Sequence, residues 1–189
     1  MRRPSQNYLS KQVAMGKRSD FEKKELAFYP TPMAAVIPLL SRLPPNVNFC
    51  EPCAGEGHLI KHLESYGHKC VSAFDVKPRV DGVYQQDAAW MTKDDLGSAS
   101  YIITNPPWER EPLHQIIERC ASLAPTWLLF DADWMHTRQA SAYMALCCCI
   151  VSVGRVKWIE ESNNSGKDNC CWYLFDFDNT RPATFYGRK

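Results

Sequence analysis

The stretch "TNPPW", residues 104–108, combines residue types that suit one kind of chemistry. An exocyclic amine that is to attack an electrophilic carbon needs both of its N–H bonds held, so that the nitrogen lone pair points at that carbon. Two acceptors do this, and here they are the side-chain oxygen of Asn105 and the backbone carbonyl of Pro106. Pro106 and Pro107 stiffen the peptide and confine the residue before each to extended backbone, which fixes where the acceptors point. Trp108 adds a flat face for a planar base and a ring able to stabilise positive charge developing on the nitrogen. The plain alternative is a proline-rich strand exit with an incidental aromatic.

Three further positions fit a ligand beside that amine. In "FCEPCAGEGHLI", Gly55 and Gly57 let backbone approach a ligand closely, with Pro52, Cys53 and Ala54 completing the turn. Glu51, just ahead of it, would repel a pyrophosphate and suits a ligand carrying an ammonium group. The turn is neither G-x-G-x-x-G nor a phosphate-cradling G-x-x-x-x-G-K-[ST] loop. Asp75 follows at about twenty residues, the spacing at which an acid accepts from ribose hydroxyls. Asp87, in "QQDAAW", is placed to accept from an adenine amino group. A glycine turn, a solvated acid and a helix cap are the structural alternatives for these three.

The elements that must position these residues alternate. "YPTPMAAVIPLLSRLPP" reads as a turn feeding a helix, with Thr31 as N-cap, Pro32 at the first helical position and Pro44–Pro45 as the stop. "NVNFCEP" is a buried strand, "HLIKHLESYG" a helix closed by Gly67, and "KCVSAFDV" a second strand. "GVYQQD" and "ASYIITN" are strands three and four, and "EPLHQIIERCASLA" is a helix with Leu113, Ile116, Ile117 and Cys120 on one face. "PTWLLFDAD" is a fifth strand, "WMHTRQASAYMAL" a helix and "CCCIVSVGRVKWIE" a long strand. "SNNSGKDN" is a turn, and "CCWYLFDFD" a last strand. This order predicts an α/β fold: a mostly parallel sheet covered on both faces, ending in an antiparallel hairpin at one edge. Open sheets of this kind bind ligands beyond the carboxyl ends of their strands. Glu51, Asp75, Asp87 and Asn105 all fall there.

The 189 residues, 45% of them hydrophobic, suit one domain. The net charge of +1 neither demands nor forbids a nucleic acid, but its distribution is uneven. Met1 to Lys24 holds seven basic residues (Arg2, Arg3, Lys11, Lys17, Arg18, Lys23, Lys24) against Asp20 and Glu22. We therefore expect residues 1–27 to form a basic arm and 28–189 one catalytic domain with no separate target-recognition domain. Nine cysteines, among them Cys147–Cys148–Cys149 and Cys170–Cys171, cannot all pair and read as reduced thiols used as small apolar side chains. Cys50 and Cys53 form a C-x-x-C, but His58 and His62 fall within a helix, so no metal site is expected. With no long apolar run and no signal-type N-terminus, the expectation is a soluble, cytoplasmic protein without membrane contact.

"FYPTP", "EPCAGEG", "FDV", "QQDAAW" and "NPPW", in that order, resemble the amino-methyltransferases that use S-adenosylmethionine, specifically the small adenine DNA methyltransferases of bacteriophages and prophages. The resemblance covers Phe28 to about Arg110, and the later strands in outline. It implies a Rossmann-like class I methyltransferase fold and S-adenosylmethionine as cofactor. Tyr29 and Thr31 would flank the methionine part, and Glu51 to Gly57 would form the main binding turn. Asp75 and Val76 would hold the ribose side, and Asp87 and Ala88 the adenine. Asn105 to Trp108 would be catalytic, with Asn105 also bordering the cofactor. The implied partner is double-stranded DNA with its target adenine flipped out, gripped by the arm and by Lys and Arg near the cleft, with low or short sequence specificity. Trp134, Trp158 and Trp172 are candidates for a second face on the flipped base, though a tryptophan on a strand is more often core. The tetrapeptide begins with Asn where many adenine DNA enzymes have Asp, and ends with Trp where Tyr or Phe is commoner. The Asn form also occurs in enzymes acting on adenine, on guanine in RNA or on glutamine in proteins. Those acceptors stay open beside DNA adenine, as does a catalytically silent nucleic-acid-binding partner.

Overall fold

The computed structural model describes residues 29–158, 166–180 and 182–188. The basic arm lies outside the described residues, as do Phe28 and the first half of the "SNNSGKDN" turn.

Eight strands form one sheet in the order β3-β2-β1-β4-β5-β7-β6-β8. They are β1 (Asn48–Glu51), β2 (Lys69–Asp75), β3 (Tyr84–Gln85), β4 (Tyr101–Thr104), β5 (Thr126–Asp131), β6 (Cys147–Arg155), β7 (Asn169–Phe175) and β8 (Thr184–Tyr186). Every pairing is parallel except those of β7, which runs antiparallel between β5 and β6. The expected β6–β7 hairpin is present, but it is not the edge. β8, which the sequence reading did not anticipate, pairs with β6 and takes that place.

The central strands are apolar on both sides because both faces are covered. Phe49, Ile103, Trp127, Leu129 and Trp172 pack on one face against α1 (Met33–Leu40) and α2 (His58–Glu64). Cys50, Ile102, Leu128, Phe130 and Tyr173 pack on the other against α3 (Arg110–Ala121), which contributes the expected Leu113, Ile116, Ile117 and Cys120. Gly67, at φ 86°, closes α2 in the left-handed conformation that glycine adopts without a Cβ clash.

Two helix expectations are corrected. Thr31 does not cap α1: Pro32 occupies the cap position rather than the first helical turn, and the Thr31 hydroxyl is engaged elsewhere. The helix also stops at Leu40, well before Pro44, where Ser41 Oγ donates to the Pro38 carbonyl. The single helix expected over "WMHTRQASAYMAL" is two short pieces, a 3-10 helix Ala132–His136 and α4 (Ser141–Met144). Thr137 causes the break: its backbone is extended, its hydroxyl donates to the Trp134 carbonyl, and the same oxygen accepts from Ala140 N–H.

α1 is anchored to the sheet by one buried bond, Trp172 Nε1 donating to the Ala35 carbonyl at 2.7 Å. W172F keeps most of the apolar burial and leaves that carbonyl without its partner. Urea denaturation is expected to show a loss of about 1–3 kcal/mol; unchanged stability would mean the anchor is dispensable.

Candidate active site

β1 and β4 are neighbours, yet the helices that follow them cover opposite faces, α2 with α1 and α3 on the far side. The chain therefore parts at the carboxyl ends of these two strands, at a topological switch point. Glu51 ends β1 and Asn105 follows β4, so both border the opening.

The glycine turn is tied to the end of β2. Gly55 N–H donates to Asp75 Oδ2 at 2.8 Å, and Ala54 N–H to the Phe74 carbonyl at 2.8 Å. Gly57 N–H closes the turn on the Ala54 carbonyl at 2.7 Å. Gly55 sits at φ 53° and Gly57 at φ 72°. Residues with a Cβ rarely adopt that conformation. The second Asp75 oxygen accepts from Lys77 N–H at 2.8 Å. The carboxylate is thus held rigidly, with lone pairs left over on both oxygens. Pro52 and Ala54 are buried, and Cys53 is half-buried with its thiol pushed up above all by burial.

Glu51 is 2% exposed and its Oε2 has no hydrogen-bond partner. Burial, and then the nearby Asp75 carboxylate, push its carboxyl well above the usual range. A buried acid oxygen without a partner is costly unless a donor completes it. A cationic donor would do so and would restore the charged form.

On the neighbouring side, Val76 stands exposed after β2. The Asp87 side chain accepts from Ala89 N–H at 2.9 Å and so caps a 3-10 helix, Ala88–Trp90, whose Ala88 is buried. Capping thus describes Asp87 as it stands, through one of its two oxygens.

Across the opening, Asn105 joins two distant segments. Its Nδ2 donates to Thr31 Oγ1 at 3.2 Å, and its Oδ1 accepts from Trp108 Nε1 at 3.2 Å. Thr31 is buried and Tyr29, two residues earlier, is half-buried. Pro106 is buried, Pro107 and Trp108 half-buried. Spacing alone gave no sign of the link from Thr31 to Asn105, 74 residues apart.

The three second-face tryptophans separate clearly. Trp172 is wholly buried in the sheet, and Trp134 is buried with its N–H bonded to His114 Nε2 at 3.1 Å. Trp158 does lie beside Trp108, with ring centroids 5.6 Å apart, but the planes stand at 85°. An edge-on neighbour cannot offer a face parallel to Trp108, so Trp158 buttresses that ring and does not form a sandwich with it. Two residues at the same edge went unnoticed in the sequence. Thr104, fully buried at the end of β4, has its hydroxyl beside the Cys53 thiol, and Asp131 ends β5. The cysteines are free thiols, with Cys50 pushed up to about 11 by burial, and no metal-holding group of side chains occurs among the described residues.

No family model matches the chain, and no curated protein matches it. Solved structures do. A candidate RNA methyltransferase from Pyrococcus horikoshii superposes with a TM-score of 0.55 at 14% identity, over 80% of this chain and 87% of that one. The 23S rRNA methyltransferase ErmE gives 0.51 at 13% identity, over 79% and 68%. The methyltransferase subunit of a type I restriction-modification system from Streptococcus thermophilus gives 0.51 at 10% identity, and this chain spans 47% of that subunit against 84% of its own length. The strand order, the lone antiparallel β7 and these likenesses define the class I methyltransferase fold.

The buried Glu51 carboxyl gives a test of the site's electrostatics. A carboxyl with a raised folded-state pKa keeps a proton that the unfolded chain releases. Stability then falls as pH climbs from the unfolded value of about 4.3 toward the folded one. E51Q removes that penalty, so its stability relative to wild type is expected to grow with pH through this window in urea unfolding. Parallel profiles for the two proteins would refute the assignment.

Proposed function

We propose that this chain is an S-adenosylmethionine-dependent methyltransferase acting on the N6 amino group of adenine in DNA. The observation that carries the reading is the Asn105 side chain, an amide held from both ends at the switch point, beside a half-buried tryptophan ring. The residues around the opening fit the cofactor. Gly55 and Gly57 leave the turn without side-chain bulk, Asp75 keeps lone pairs for ribose hydroxyls with Val76 exposed beside it, and Asp87, with one oxygen uncommitted, borders the adenine together with Ala88. The orphaned Glu51 oxygen would meet the ammonium of the methionine part.

When bound, the cofactor supplies an electrophilic methyl carbon on a sulfonium. Asn105 Oδ1 and the Pro106 carbonyl accept the two N6 hydrogens and aim the nitrogen lone pair at that carbon. The bound cofactor would supply the methyl group to N6 and leave as the neutral thioether, and the proton displaced from N6 would pass to solvent. No covalent enzyme intermediate is involved, and none of the cysteines acts as nucleophile. Orientation is the main contribution of the protein, a role worth several orders of magnitude in rate. Trp108 receives one face of the flipped base, whose extraction from the duplex costs a few kcal/mol. Backbone contacts from the basic arm of residues 1–27 would supply affinity in a salt-dependent, weakly sequence-selective manner. Residues 28–189 act as the catalytic unit.

Nucleoside mass spectrometry after incubation with S-adenosylmethionine and separate DNA, RNA and protein acceptors tests the reading. N6-methyladenine in DNA is the expected product; a methylated RNA base or glutamine in its place would transfer the assignment to that acceptor.

Two variants probe the roles. N105A is expected to keep S-adenosylhomocysteine binding, weakened only modestly because Asn105 borders the cofactor, while turnover drops by roughly 100-fold or more; near wild-type rates would end the orienting role. D75A is expected chiefly to weaken S-adenosylhomocysteine binding in calorimetry, and an unchanged affinity would remove Asp75 from the site.

A further inference from the structure

An asparagine side chain has two ends of similar shape and opposite chemistry: the oxygen accepts and the nitrogen donates. An amine about to be methylated presents donors, so Asn105 helps only in one of its two orientations. Turned end for end, it would set a donor against a donor. The terminal torsion of the side chain is broad and roughly two-fold, so the residue itself does not choose.

Its two neighbours choose unequally. Thr31 Oγ1 lies 3.2 Å from Nδ2. A hydroxyl can accept or donate, so it would tolerate either orientation. The indole N–H of Trp108 lies 3.2 Å from Oδ1. It is a donor only, matched solely by the oxygen. Trp158, edge-on against Trp108, keeps the indole from drifting.

We infer that Trp108 is a positioning residue that acts through its N–H, locking the Asn105 amide with its oxygen turned toward the side where the substrate amine sits. The oxygen has a second lone pair, so the lock leaves an acceptor for that amine. Phenylalanine could supply the ring face but not the lock. A carboxylate at position 105 would need no lock, because both its oxygens accept. Asparagine and tryptophan therefore work here as a pair. This inference rests on the proposed amine methylation.

W108F separates the two roles of the ring. For DNA methylation, kcat is expected to fall about tenfold or more while KM for the oligonucleotide stays within about threefold. In the N105D background the same change is expected to cost less than about twofold in kcat. A W108F kcat within about twofold of wild type, or an equal loss in the N105D background, would overturn the inference. If W108F fails to bind S-adenosylhomocysteine and so is misfolded, 3-benzothienylalanine at position 108 replaces N–H by sulfur in the same bicyclic shape and is judged by the same criteria. Absence of turnover by the wild-type protein would count against the function and not against the lock, which has its own readout. In a 15N-labelled protein the Trp108 indole proton, assigned by its disappearance in W108F, is expected to be protected from solvent exchange and to lose that protection in N105A. Exchange in the wild type as fast as in N105A would refute the lock.

Discussion

A sheet buried on both faces can place polar side chains only where its strands end, and the whole arrangement of this molecule follows from that constraint. β1, β4 and β5 carry apolar residues toward both sides, and their polar residues fall at the ends: Asn48 and Thr126 at the entry, Glu51, Thr104, Asn105 and Asp131 at or just past the exit. Because the chain leaves β1 and β4 toward opposite faces, those ends are not roofed by a single connection. Burial of apolar surface thus builds the opening and concentrates ionisable groups around it. The same burial leaves Glu51 short of a partner, a cost accepted only where something else completes the group.

The amide of Asn105 depends on tertiary structure more than on its own strand. Its partner Thr31 comes from the lead-in to α1, an eight-residue helix with Pro38 inside it. Such a helix has little stability alone. It persists because Ala35, Val36 and Leu39 are buried against the sheet and because Trp172 reaches its backbone. The donor side of the Asn105 amide consequently depends on how firmly one short helix docks.

The ends of β1, β2, β4, β5 and β7 were legible in the sequence because an acid or a proline stops each apolar run, and the glycine turn was legible because its neighbours exclude a phosphate; β6 instead ends at Arg155, short of the expected "CCCIVSVGRVKWIE", because no such residue marks its end. Helix limits were less so. Thr31 looks like a cap by type, but its hydroxyl serves a residue 74 positions away, and no local rule anticipates that competition. Thr137 sits inside a helical pattern and breaks it by bonding its own backbone neighbours. β8 escaped notice because three residues, "TFY", suit a strand by type yet are too few to show a period. The angle between Trp108 and Trp158 is a packing outcome, and composition could say only that aromatic residues were available.

The position of β7 has a consequence for assembly. It is threaded between β5 and β6, both earlier in the chain, and it supplies the antiparallel partner for all of β5 from Thr126 to Asp131. Until residues 169–175 have been synthesised, β5 ends the sheet as a raw apolar edge with unpaired amides and carbonyls. β6 pairs with β7 and not with β5, so it cannot seal that edge without β7. A sheet lacking β7 would therefore present an edge open to intermolecular strand pairing.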